Sequence, residues 1–349
     1  MAKTIETYEG MPVIEANDSK ALEKKLEKMV GIKPPFAVKI SSRTKMIKEN
    51  AFSRCTDIAA ILIPDSVTEI GYQAFSGCTG LTSVCIPDSV TEIGNYAFED
   101  CTGLTSIEIP DSVKEIGSGT FAGCTGLIAI CVSEANPAYH SSGNCLIHTE
   151  SHTLIIGCNH SVIPSSVTKI GSSAFSGCTR LTSVCIPDSV TEIDRSAFSG
   201  CTGLTSINIP DSVTEIGSGA FAGCTGLTSI EIPDSVKEIG SGAFSGCKGL
   251  TAINIPNSVT VIESYTFANC ERLTSVDIPD SVTKIDSEAF VYCTELTSVN
   301  IPDSVTYIGD EAFFGCKLTS VNIPDSVKYI GWQAILDCPG KPQKRKIYK

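Results

Sequence analysis

A mainly β repeat solenoid is the fold class this sequence predicts, and three observations predict it. The stretch LTSVCIPDSVTEIGNYAFEDC, residues 81–101, returns at intervals of 23 residues through most of a 349-residue chain. Phe52, Phe75, Phe98 and Phe121 share one phase of that interval, as do Phe175, Phe198, Phe221, Phe244, Phe267, Phe290 and Phe313, with Ile335 in the twelfth place. Cysteine holds another phase, at Cys55, Cys78, Cys101 and Cys124, then Cys178, Cys201, Cys224, Cys247, Cys270, Cys293 and Cys316. One unit carries about eight apolar residues on one side and cannot bury them alone, whereas stacked units share a continuous core. Each turn then advances about 4.8 Å, the spacing of hydrogen-bonded strands, so twelve turns extend about 60 Å.

Taken in chain order, residues 1–38 lack the repeat and form an N-terminal cap. Within it DSKALEKKLEKMV, 18–30, predicts a short amphipathic helix with Leu22, Leu26 and Met29 on one face and Asp18 as its cap. About twelve units follow over 39–338. In each, Leu81, Val84 and Ile86 read as a half-buried strand, which Pro87 ends because it lacks an N–H for the ladder. Pro-Asp-Ser is a turn, and Val90 and Ile93 lead back inward as a second short strand. Ala97, Phe98 and Cys101 have the spacing of one helical or 3₁₀ turn with its apolar side inward. Gly94 is replaced at equivalent positions by Asp194, Glu263 and Asp286, so a compulsory left-handed backbone is not expected there.

The period breaks between Cys124 and Cys178, which are 54 residues apart. An insertion at about 132–162 reads as a projecting hairpin with strands at 144–148 and 153–157. Residues 339–349 form a basic tail, read as solvated.

Composition narrows the function classes. The chain carries 26 Lys plus Arg against 39 Asp plus Glu, a formal charge of −13, which disfavours nucleic acid and anionic membrane as partners. No apolar run is long enough to span a bilayer, and no signal peptide is visible. A cytoplasmic location is therefore the expectation as written, and a surface or secreted one if a leader has been removed. Most of the 17 cysteines sit on the period, which makes them reduced core thiols, and no CxxC pair argues for zinc ribbons or redox chemistry.

Candidate binding residues come from the strand Leu-Thr-Ser-Val-x-Ile, whose x side chain points outward. Along the chain x is Leu62, Cys85, Glu108, Cys131, Cys185, Asn208, Glu231, Asn254, Asp277, Asn300 and Asn322. Glu108, Asn208, Glu231, Asn254, Asp277, Asn300 and Asn322 are taken as the contact ladder, beside a row of Thr and Ser hydroxyls. A second variable site is the pair before Ala-Phe, such as Asn95-Tyr96 and Trp332-Gln333.

An aspartate row, Asp65, Asp88, Asp111, Asp188, Asp211, Asp234, Asp280, Asp303 and Asp325, admits two readings, bridging calcium or capping turns. His140, His148, His152 and His160 lie near Cys131, Cys145 and Cys158 and raise the question of zinc. Their spacing matches no zinc signature and strand alternation scatters them, so no metal ligand or cofactor is assigned. No catalytic residue is assigned either, because acids that recur in every unit cannot take the unequal roles chemistry needs.

The 23-residue period, Ile-Pro, Val-x-x-Ile-Gly and Ala-Phe-x-x-Cys together resemble the leucine-rich repeats of the Treponema pallidum type, found in BspA-like bacterial proteins. Asn136-Pro137-Ala138-Tyr139 followed by Ser142-Gly143-Asn144-Cys145-Leu146 is similar to a recurring family element. The resemblance implies a right-handed, curved horseshoe with a parallel concave sheet. It also implies a non-enzymatic protein-binding scaffold of the adhesion, virulence-associated type, with a host matrix or plasma protein as partner and no defined oligomeric state. The alternative is an intracellular interaction scaffold without an adhesive role.

Overall fold

The computed structural model describes residues 7–26 and 34–335. Met29 of the expected helix and the basic tail at 339–349 lie outside the described residues. The chain divides into two compact units, Met1–Val162 and Ile163–Lys349.

The first unit opens with an antiparallel pair, Thr7–Tyr8 and Met11–Glu15. Helix Ser19–Leu26 follows, capped as the sequence indicates: Asp18 Oδ1 accepts from the Ala21 N–H at 2.7 Å, and Leu22 is buried. Strand Phe36–Lys39 then pairs in parallel with Met11–Glu15 on one side and Ile58–Leu62 on the other, and Ile58–Leu62 pairs with Ser83–Cys85. Farther along, Ser106–Ile109 pairs in parallel with Ala129–Val132. A second parallel sheet joins Met46–Ile47, Glu69–Ile70, Glu92–Ile93 and Glu115–Ile116. Each coil therefore makes two short strands, with the Pro-Asp-Ser turn between them closed by bonds such as Val90 N to Pro87 O at 3.0 Å.

The second unit repeats this arrangement. Its strand face joins Ala252–Asn254, Ser275–Asp277, Ser298–Asn300 and Ser320–Asn322 in parallel. In the preceding coils the same face is reduced to single bridges, Cys185 to Asn208 and Asn208 to Glu231. The other sheet runs through Lys169–Ile170, Glu192–Ile193, Glu215–Ile216 and Glu238–Ile239, and resumes through Val261–Ile262, Lys284–Ile285, Tyr307–Ile308 and Tyr329–Ile330.

Stacking identical coils brings identical side chains face to face. In the first unit Phe52, Phe75, Phe98 and Phe121 stack with ring centroids 5.2–5.6 Å apart. In the second, the seven rings from Phe175 to Phe313 stack at 5.1–5.7 Å, tilted by 18° at most. The cysteines line the same interior and donate back: Cys224 Sγ reaches Phe198 O at 3.1 Å, and Cys247 Sγ reaches Phe221 O at 3.2 Å. Burial pushes the thiols of Cys78, Cys101 and Cys247 well up, and none of the described cysteines forms a disulfide. These thiols are packing groups.

The segment around Ala-Phe-x-x-Cys uses 3₁₀-type bonds at alternate residues only. Ala74 N, Ser76 N and Cys78 N donate to Gly71 O, Gln73 O and Phe75 O, while Gln73 N, Phe75 N and Gly77 N donate to Asn95 O, Ala97 O and Glu99 O of the next coil. Alternation of that kind requires left-handed residues at intervals, and Gln73 (φ 48°) and Gly77 (φ 73°) supply them. Gly94 is not left-handed, as expected; a Cβ there would sit 2.9 Å from the Gly71 carbonyl carbon, so the residue serves close approach between coils.

The insertion differs from the hairpin expected of it. Three antiparallel strands, Tyr139–Ser142, Cys145–His148 and Thr153–Ile156, form a meander. It does not project: Tyr139, Leu146, Ile156 and Cys158 join the core of the first unit. Buried Asn136 anchors it, its Nδ2 donating to Pro110 O at 2.6 Å and Val113 O at 3.1 Å. The Tyr139 hydroxyl accepts from Ile116 N at 3.0 Å. Apolar residues at both strand phases, which a two-sided solvated hairpin would not carry, are the sequence signal for this burial.

Candidate functional site

The strand face is built by pleat and register. Val276 between Ser275 and Asp277 is buried, so its two neighbours point outward, and parallel pairing then sets Asn254, Asp277, Asn300 and Asn322 beside one another in successive coils. Asn208 is bridged to Glu231 in the second unit, and Glu108 pairs with Cys131 in the first. All seven candidate contact residues are exposed. The row begins earlier than the repeat does, since Glu15, Lys39, Leu62 and Cys85 are successive partners.

Shallow grooves run over this face. In the second unit one of about 480 Å³ passes Cys185, Asn208 and Glu231, and in the first one of about 500 Å³ passes Cys85, Glu108 and Cys131 and is rimmed by Asp88 and Asp111. The aspartate row therefore borders the strand face.

Threonine hydroxyls beside the ladder are committed to the fold. Thr205, Thr251, Thr274 and Thr319 each donate through Oγ1 to the threonine carbonyl of the preceding coil at 3.3 Å, as in Thr274 to Thr251 O. The serine of each Pro-Asp-Ser turn does likewise: Ser212 Oγ reaches Val190 O at 2.6 Å, Ser235 Oγ reaches Val213 O at 2.7 Å, and Ser281 Oγ reaches Val259 O at 2.7 Å. The side-chain bond at these turns comes from serine, and the aspartate before it is exposed. Turn capping is one of the two sequence readings of the aspartate row, and the side-chain bond seen here is instead a serine donation to the preceding coil. The clue lay in the serine, which keeps its phase as faithfully as the neighbouring valine.

The opposite sheet holds a row that sequence reasoning missed. Glu69, Glu92 and Glu115 are in register in the first unit, as are Glu192, Glu215 and Glu238 in the second. Partial burial, then Glu192 and Glu238, push the Glu215 carboxyl above its ordinary range. Lys169 relieves one end of that row, with Glu192 at 2.6 Å and Asp194 at 3.1 Å. Lys284 pairs with Asp286 at 2.9 Å and lies 5.2 Å from the Tyr307 ring centre. The variable pair before Ala-Phe lies next to this sheet, and its second member, Tyr96, Ser196, Tyr265 or Gln333, has positive φ.

Two of the four histidines meet local partners: His140 Nδ1 lies 3.1 Å from Thr149 Oγ1, and His148 Nδ1 lies 2.9 Å from Ser151 Oγ. Cys145 is buried and its thiol is pushed up to about 11 by that burial. Among the described residues no three His, Cys, Asp or Glu side chains converge to hold a metal ion, in the insertion or on the aspartate row. Among them, too, no helix is long and apolar enough to cross a membrane.

A coil of two short parallel strands and a turn, stacked at a 23-residue period, defines a leucine-rich repeat protein. Six copies of the BspA type leucine rich repeat region match residues 45–160, 146–236 and 214–340, and the chain belongs to that family. A leucine-rich repeat protein from Eubacterium ventriosum is 26% identical, with 89% of each chain covered and a TM-score of 0.72. A leucine rich cell surface protein from Faecalibacterium prausnitzii is 28% identical over 87% of this chain and 86% of its own, with a TM-score of 0.56. The pneumococcal vaccine antigen PcpA shares the fold at 19% identity, over 93% of this chain and 84% of its own, with a TM-score of 0.61. Among curated proteins no sequence matches.

Proposed function

We propose that the chain is a non-enzymatic protein-binding scaffold whose working surface is the strand face, with Glu108, Asn208, Glu231, Asn254, Asp277, Asn300 and Asn322 as contacts. One observation carries this reading: at x, residue type varies along an exposed, in-register row, while threonine hydroxyls beside it are bonded into the stack. Selectivity needs variation on a fixed frame, and this position offers both.

The reading extends to adhesion, with a host matrix or plasma protein as partner and the chain displayed at the cell surface. The similarity to a leucine rich cell surface protein supports that extension. A second reading, an interaction scaffold inside the cell, is favoured by the 16 described cysteines, none of which forms a disulfide, since thiols in such number suit a reducing compartment. Fractionation of the native cells with an antibody to the chain separates the two.

Affinity capture tests the face itself. With Glu231→Lys, Asn254→Lys and Asp277→Lys combined, partners retained by the unaltered chain are lost while the melting curve stays in place. Retention of the same partners by the triple variant sinks the assignment.

A further inference from the structure

We infer that the strand face of the second unit recognises a cationic polypeptide segment rich in lysine or arginine. The inference rests on the proposed function and names the partner class of that same site.

Three features point the same way. The first is sign. From the leucine that starts each strand to the serine that ends each turn, the seven coils at 181–189, 204–212, 227–235, 250–258, 273–281, 296–304 and 318–326 contain eight carboxylates and no Lys or Arg. The loops leading into those strands carry Arg180, Lys248, Arg272 and Lys317, of which Lys248 and Lys317 are held by Glu271 and Glu295 at 2.8 Å each. The opposite sheet of the same unit is mixed, with Lys169 and Lys284 paired to its acids. The single sign thus belongs to one face and is not a reflection of net charge.

The second feature is hydrogen-bond polarity, and it is carried by the acids alone. Threonines such as Thr274 and turn serines such as Ser281 spend their protons on carbonyls of the preceding coil, while outward serines such as Ser275 keep hydroxyls on the face. The eight carboxylates accept only, so a ligand that pairs with them must bring donors. Lysine brings three N–H groups and arginine five, with no acceptors to be wasted.

The third is extent. Asp211, Asp234, Asp280 and Asp303 are exposed in coils spread along the row, and seven coils at about 4.8 Å each place its first and last acids about 29 Å apart. Carboxylates repeated over such a length suit a chain of cations, not a single ion. Among the described residues no three of them converge as a metal site requires.

Fluorescence anisotropy with the full chain tests this, using a labelled dodecapeptide of alternating lysine and glycine and a glutamate–glycine counterpart. The lysine peptide binds, the glutamate peptide does not, and affinity falls at least about tenfold between roughly 50 and 300 mM salt. Four charge-removing changes on the face, Glu231→Gln, Asp234→Asn, Asp277→Asn and Asp280→Asn, weaken the lysine peptide by at least about tenfold. Glu215→Gln with Glu238→Gln on the other sheet leaves it within about twofold. Equal weakening by both sets, or no binding of the lysine peptide, overturns the inference. A captured partner that is lost with the triple lysine variant yet holds on through high salt also overturns it, while leaving the strand face as the binding surface.

Discussion

The two exposed sheets of the second unit are made by the same coils, and the rules governing them differ. On the strand face the outward residue changes from Asn208 to Glu231 to Asn254 to Asp277, and threonine hydroxyls beside it, such as that of Thr251, are tied inward. On the opposite sheet Glu192, Glu215 and Glu238 repeat one residue in register, and the resulting repulsion is met by Lys169 at one end. A solenoid makes every phase-locked side chain a ladder, whether that helps or harms. Where the ladder stays uniform it records the frame; where it is free to vary, it is available for recognition.

Both faces stand on the shared interior, so the largest effect comes from there. Phe221 is fully buried between Phe198 and Phe244, with ring centres 5.4 Å away on each side. Phe221→Ala leaves a cavity and should cost about 3–5 kcal/mol in denaturant unfolding. A loss below about 1 kcal/mol would show that the stack collapses into the gap and that the frame is looser than its geometry.

The next effect divides neighbours within one turn. Ser235 Oγ donates to Val213 O at 2.7 Å, whereas Asp234 is exposed. Ser235→Ala should cost about 1 kcal/mol through the lost bond. Asp234→Asn should stay within about 0.5 kcal/mol of the parent, as exposed substitutions do. Chemical denaturation of both variants compares frame with surface directly, and a reversed order would return the aspartate to the role of turn cap.

The smallest effect concerns the glutamate row. Because Glu215 has a raised carboxyl in the folded chain, the native state holds its proton to higher pH than the unfolded state. The cost of its charge is therefore fully present above that raised range and vanishes as pH falls below the unfolded value. Glu215→Gln should stabilise the chain at neutral pH by about 0.5 kcal/mol, the scale of one cross-strand pair, and do little at pH 3. Melting curves across that range check it; a destabilised variant at neutral pH would mean the row has a favourable partner.

Most of the fold was legible because periodicity is a direct record of what faces inward. Phe98 and Cys101 recur because one interior is shared, Pro87 marks a strand end chemically, and Asp18 caps its helix as its side chain allows. The contact ladder was legible for the same reason, since alternation about Val276 fixes which neighbours point out. What stayed hidden depended on coil-to-coil contacts that one unit does not spell out. Ser235 and Asp234 are both plausible turn residues, and only the carbonyl of the preceding coil decides between them. Positive φ at Tyr96 and Tyr265 follows from bonds to the next coil, against the ordinary preference of an aromatic residue. The insertion occurs once, so no repetition revealed that its strands bury both faces.

Site-resolved alkylation bears most directly on the strand face as the working surface. The buried thiols are protected by their surroundings, so introduced cysteines can be read by mass mapping beside the exposed Cys85, Cys131 and Cys185. Asn254→Cys places a reporter on the strand face, and Lys237→Cys places one beside the opposite sheet, next to strand Glu238–Ile239. With the lysine peptide or a captured partner bound, alkylation at 254 slows while that at 237 keeps its rate; protection at 237 with 254 unchanged would put recognition on the other sheet and contradict the account.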